Sequence, residues 1–310
     1  MTPQITHLTQ QPYHTVAAAE KSLRGLEGFF RHSKDNRGLF VIAYAEMTTR
    51  LKKALTGLHS PFNEPAWVTD YLLAFANLYR EALHGFITGA TIPAAWRIAF
   101  ERAADDRGVI SLQHLLLGIN AHIGHDLPLS LQQVGLGEGQ TQQRRYADHQ
   151  RVNEILKAAT DPIQDKVTRF HLSQGFSLLE KIIGPFDEGL TNYFFKRQRT
   201  RAWYNGLYLA CLSDGVSIDS QLADWFRWAL QSDEAVSDVP QLRQRLDQQA
   251  FQFASDVILR WKLPSIPGFR DDETFDAFEQ SLTDAELAQL ARNIEQQRSR
   301  SAASDIWDAL

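Results

Sequence analysis

Three imidazoles and the Asp126 carboxylate share a single apolar stretch of this chain. Asp106 to Leu131 reads DRGVISLQHLLLGINAHIGHDLPLSL and carries His114, Asn120, His122, His125 and Asp126. A helix with so little polar face belongs in a protein interior. Buried imidazoles and carboxylates need hydrogen bonds, each other, a metal or a ligand. The segment is therefore the expected centre of any site.

Spacing limits the chemistry. On a straight helix His114 and His122 are about 12 Å apart along the axis, too far to share one metal. His122 and Asp126 lie at i and i+4, and His122 and His125 at i and i+3, so either pair can meet. The His122–Asp126 pair is the candidate metal site, for zinc, iron or manganese, with a bound water activated for hydrolysis. Without metal, His122 or His125 oriented by Asp126 would serve as general acid or base. Gly118 and Ala121 fall in the same sector and leave room for a ligand or for another helix. Pro128 cannot donate to the carbonyl of Gly124 and crowds it, so the helix should kink or end near His125 and Asp126. A structural reading stands beside these. Each histidine can be a satisfied core residue, and Asp126-Leu127-Pro128 resembles an N-cap followed by a first-turn proline.

Polar residues of other segments are further pocket candidates. Asp148 and Asn153 come first, because a short connection separates them from the central helix. Tyr146 and His149 lie in the same stretch. Asp35, Tyr44 and Thr48 share one helical segment, Asn77, Tyr79 and His84 the next, and His171 lies further on. The chain has no Walker loop, GxSxG, HExxH or strand-borne GxGxxG.

The elements that must position these residues are helical. Apolar residues recur at helical spacing in Val16 to Phe30, Gly38 to Leu58, Val68 to Phe86 and Ala94 to Ala104. Pro65 and Pro93 mark two helix starts, and Ser111 caps the central helix. Gly135 to Gln143 reads as a loop. Asp148 to Ala159 is helical, and Asp161-Pro162 reads as the start of a separate helix. Arg199 to Leu212, Ser220 to Leu230 and Gln241 to Trp261 follow. Alternating strands are missing. The expected fold is all-α, a compact multi-helix domain around a buried central helix. Residues 1–261 form that domain, and 262–310 a linker and C-terminal helical appendage, with a Pro/Gly-rich boundary at Lys262 to Asp272.

The composition fits a globular chain. Of its 310 residues 44% are hydrophobic and 22% charged, with a net charge of -5. That balance offers no overall attraction to nucleic acid or an anionic membrane. The basic run Lys196-Arg197-Gln198-Arg199-Thr200-Arg201 reads as a solvated face, and the less common alternative is an anion site. Cys211 is the only cysteine and sits among apolar residues, where an inert core thiol is expected. The N-terminus does not read as a signal peptide, and no run reaches the roughly 20 apolar residues of a membrane span, so a cytoplasmic protein is expected.

Several segments together resemble an uncharacterised bacterial family, the domain of unknown function numbered 5995. They are RGLFVIAYAEMTTRL, FANLYREAL, PAAWRIAF, LLLGINAHIGHDLPLSL, DHQRVNEIL and RAWYNGLYLACL, in that order between residues 35 and 212. The resemblance implies an all-helical fold and brings no activity. A looser likeness to helical zinc phospholipases C and their nuclease relatives rests on His122, Asp126 and Pro128 alone. The expectation is a small-molecule enzyme with a His/Asp pocket inside a helical domain. The alternative is a non-catalytic helical module that binds a ligand or another protein.

Overall fold

The computed structural model describes residues 3–57, 59–104, 111–173, 188–218 and 220–259. Among them every regular element is helical. The expected linker and appendage at 262–310 lie outside the described residues.

The N-terminal helices are α1 (Pro3–Gln10), α2 (Val16–Ser33), α3 (Arg37–Thr56), α4 (Pro65–Thr88) and α5 (Ala94–Ala104). The Thr15 side chain caps α2 by accepting from the amide of Ala18, and Lys34 closes that helix in the left-handed region (φ 54°). Pro65 occupies the first turn of α4, as its missing N–H permits. Asn77 and Arg80 of α4 tie down the N-terminus. Asn77 bonds the backbone of Tyr13, and Arg80 donates to the carbonyl of Thr9.

The central rod follows. It comprises α6 (Ser111–Asn120), a π turn (Ala121–Asp126) and α7 (Leu127–Val134). After it come α8 (Gly139–Ser173), α9 (Glu188–Asp214), α10 (Ser220–Leu230) and α11 (Val239–Phe253), the last running into a second π turn (Ala254–Ile258). Two sequence expectations change here. The Gly/Gln stretch is a loop only to residue 138, since α8 begins at Gly139. Pro162 lies inside α8 and does not start a new helix. A proline forfeits one backbone bond and crowds one carbonyl, a loss that tertiary packing can offset. Val152, Ala159 and Phe170 bury one face of α8 on both sides of it.

The rod is surrounded, as its apolar sequence requires. Leu115, Leu117, Ala121, Leu127 and Leu131 are all buried. Leu116 and Ile119 are only partly buried. Aromatic rings of α3, α4 and α5 close over one side: Phe40 lies against Tyr44, Tyr79, Trp96 and His122, with centroids between 5.2 and 5.6 Å. On the other side α9 crosses α7 at Gly206, where a Cβ would stand 3.1 Å from the carbonyl oxygen of Pro128. Cys211 is buried, and burial pushes its thiol up, consistent with an inert residue. No helix among the described residues is long and apolar enough to cross a membrane.

Gly118 is where the rod meets α3. A Cβ there would lie 2.6 Å from Cγ of Phe40, a ring held by four aromatic neighbours. Overpacking of this kind costs about 1–3 kcal/mol, against the roughly 0.5–1 kcal/mol that alanine gains over glycine within a helix. Gly118→Ala is therefore expected to lower the urea midpoint. Leu117→Ala is expected to cost about 2–5 kcal/mol in the same measurement.

Candidate active site

The site begins with a conflict in the backbone. In a regular α-helix the ring of Pro128 would press on the carbonyl of Gly124. The chain neither ends nor breaks there. It widens into the π turn, in which the amide of Leu127 donates to the carbonyl of His122, five residues back. Such turns are rare and recur at functional sites. Asp126 keeps helical dihedrals (φ -74°, ψ -35°) and makes no capping bond, so the N-cap alternative is not realised. Its carboxylate is directed inward instead.

Asp126 is 1% exposed and accepts from three ring N–H groups. Trp96 Nε1 donates to Oδ2 at 2.9 Å, and His122 Nδ1 meets the same oxygen at 3.0 Å. His125 Nδ1 meets Oδ1 at 2.8 Å. A carboxylate only accepts, so both imidazoles carry their proton on Nδ1. Burial alone pushes the Asp126 carboxyl up, but the bonds from His122 and His125 outweigh it and hold it below the usual range. Burial pushes His122 down, by more than Asp126 raises it. The pair is a neutral imidazole oriented by an ionised carboxylate.

His122 lines a cavity of about 130 Å³ between α3, α4, α8 and the rod. Its walls are mainly aliphatic and aromatic, with Met47, Leu72, Ile119 and Leu156 among them. Phe75 stacks flat on the His122 ring, with centroids 3.4 Å apart. Tyr44 approaches the ring's other surroundings edge-on at 4.5 Å. Two buried polar atoms at this end have no partner among the described residues: Nε2 of His122 and the hydroxyl of Tyr44. Burial, with Asp126 nearby, pushes the Tyr44 hydroxyl well up, so it stays protonated.

At the other end stand Tyr71 and Arg199. The Tyr71 hydroxyl donates to Nδ1 of His149 (3.1 Å), whose Nε2 donates to the carbonyl of Arg199 (2.9 Å). Arg199 donates through Nε to Oδ1 of Asn153 (2.8 Å) and through Nη2 to the carbonyl of His149 (2.8 Å). Burial and the Arg199 charge push His149 well down, so it is neutral. Arg199 is 4% exposed, so the basic run is not simply a solvated face.

The remaining candidates divide. Asn153 reaches the cavity indirectly, by holding Arg199. Asp148 does not reach it; its carboxylate accepts from the amides of Asn63 (2.7 Å) and Glu64 (2.8 Å) and fixes the chain entering α4. Asn120 faces away, donating to the carbonyl of Ala250 at 2.7 Å. His114 is buried on α6 but does not line the cavity, and neither does His125. Thr48 donates to the carbonyl of Tyr44, Asp35 pairs with Arg37, and His84 meets Thr9. The ring of Tyr146 packs on Trp203. The His171 side chain lies outside the described ones. Trp96 and Arg199 were missing from the candidates. PAAWRIAF offered no polar pattern for the first, and the second was masked by its charged neighbours.

These shifts make stability depend on pH. His122 and His149 both bind protons more weakly folded than unfolded. Below about pH 6.5 the unfolded chain gains protons that the folded chain refuses, and each group removes up to about 1.4 kcal/mol per pH unit. Urea midpoints are therefore expected to be flat above neutrality and to fall steadily as pH drops below about 6.5. A midpoint that held level to pH 5 would show that both imidazoles titrate normally.

The family comparison extends further along the chain than the resemblance read from its segments. A family of unknown function, DUF5995, matches residues 16–254, which takes in α10 and α11. No curated protein and no solved structure matches the chain. The matched span contains the Asp126 cluster and every residue that lines the cavity, and the chain belongs to the family DUF5995.

Proposed function

We propose that this chain is a small-molecule enzyme in which His122, oriented by Asp126, acts as general base on a compact and largely apolar substrate. One observation carries the reading. His122 has its Nδ1 committed to a buried carboxylate, while its Nε2 is buried at a cavity without any partner among the described residues. An unsatisfied acceptor in an apolar interior is costly, and a substrate hydroxyl or a bound water would satisfy it. In the proposed step Nε2 takes the proton of that hydroxyl or water. Asp126 then stabilises the imidazolium across the Nδ1 bond, and the Tyr44 hydroxyl donates to the negative charge that develops. Hydrolysis of a small ester is the simplest reaction of this type.

The metal alternative is supported less well. His122 Nδ1 and Asp126 bond each other directly. Among the described residues no group of three His, Cys, Asp or Glu side chains is placed to hold an ion. A non-catalytic ligand-binding module remains the second reading, favoured by the predominance of apolar walls.

Short p-nitrophenyl esters test the proposal. Wild-type protein is expected to release nitrophenol, and His122→Gln to lower kcat by about 10²–10⁴-fold. Activity should survive dialysis against EDTA. The acid limb of kcat/KM should fall below the ordinary histidine value, because burial holds His122 down. Binding of apolar probes without any turnover dependent on His122 would assign the chain to the binding-module class.

A further inference from the structure

We infer that the cavity takes a small monocarboxylate, with its carboxylate on Arg199 and its apolar body running past Phe75 towards His122. The inference rests on the reading of the His122 cavity as a binding site, and it adds the chemical class of the ligand.

The starting point is an uncompensated charge. Arg199 is 4% exposed, and it lines the cavity. Its partners are the Asn153 amide oxygen, the His149 carbonyl and, at 3.4 Å, Nδ1 of the His149 ring, all neutral. No carboxylate among the described residues pairs with it, whereas Arg24, Arg31 and Arg145 each have a glutamate. Arginine keeps its proton in a protein, so burial cannot neutralise it. A buried charge without a counter-charge is costly, and an anionic ligand would remove that cost. The planar guanidinium suits a carboxylate in particular.

The neighbours select the kind of anion. The Tyr71 hydroxyl keeps its proton and already donates it in a hydrogen bond to His149, which is neutral. Among the described residues Arg199 is the one cationic side chain in the wall, which matches a single negative charge. Beyond it the wall is apolar. Phe75 stacks on Tyr71 at 6.3 Å and on His122 at 3.4 Å, so one aromatic ring separates the two polar ends. A cavity of roughly 150 Å³ holds one benzene. The 130 Å³ here therefore suits a body of about six carbons. The far end of such a molecule meets Nε2 of His122 and the hydroxyl of Tyr44, the two unpartnered groups.

Calorimetric titration of the full chain near neutral pH tests this with hexanoate and hexan-1-ol, which share a tail and differ in charge. Hexanoate is expected to bind at least about tenfold more tightly, a ratio that a single charge-assisted pair can supply. Arg199→Gln should erase that preference, whereas His122→Gln should leave hexanoate the tighter ligand. A wild-type protein that binds hexan-1-ol as tightly as hexanoate overturns the inference and leaves the cavity reading standing. Binding of neither probe at millimolar concentration overturns both. The wild-type ratio decides the matter even if Arg199→Gln does not fold. A preference for hexanoate that persists in a folded Arg199→Gln protein overturns the assignment to this residue.

Discussion

The buried carboxylate of Asp126 is the constraint on which the interior depends. An unpaired ion in a low-dielectric interior is untenable, so three N–H groups must be brought to it. One comes from α5 and two from the π turn itself. The bond from Trp96 therefore locks α5 against the central rod, and the bonds from the histidines fix the width of the turn. The aromatic layer follows from the same requirement. Phe40, Tyr44, Phe75 and Tyr79 pack around the His122 ring and exclude the water that would otherwise solvate the ion. Removing any one donor would leave the charge under-coordinated, at a cost of about 1–3 kcal/mol or more for a charged group.

The proline two residues later is part of this arrangement. Pro128 forbids a regular α-helix through Gly124, and the widened turn is how the chain continues. In a straight helix His125 and Asp126 would point about 100° apart. In the π turn both histidines converge on one carboxylate. The residue that disrupts the helix thus lies directly beside the turn that carries the cluster.

Much of this was legible in the sequence, and the gaps have physical causes. Helical spacing and first-turn prolines located α2 to α5, because amphipathic faces and caps are local properties. The meeting of His122 with Asp126 followed from i,i+4 geometry. The π turn did not, since local pattern shows that Pro128 disturbs the helix but not which way the strain resolves. Pro162 misled for the opposite reason: packing against α3 and α9 carries α8 through it. Asp148 carries the same chemistry as Asp126, yet it serves two backbone amides that only the tertiary fold brings near. Arg199 was hidden because a basic run reads as one solvated surface, whereas a helix turns each member to a different side.

The two buried charges that flank the cavity are treated in opposite ways. Asp126 is saturated by donors and sits behind the wall. Arg199 sits in the wall and has only neutral acceptors. Had the two been placed together they would have neutralised each other, and neither would act on anything else. Separated by Phe75, each retains a task. The saturated carboxylate lends basicity to His122 without exposing its own charge, so it would not repel the proposed anion at the far end. The unsaturated guanidinium keeps a field that a ligand can satisfy. In the proposed reading, an apolar cavity with His122 at one end and Arg199 at the other would both hold a molecule and orient it. Orientation is what the proposed general base would need, because the proton it takes must lie within hydrogen-bond reach of Nε2.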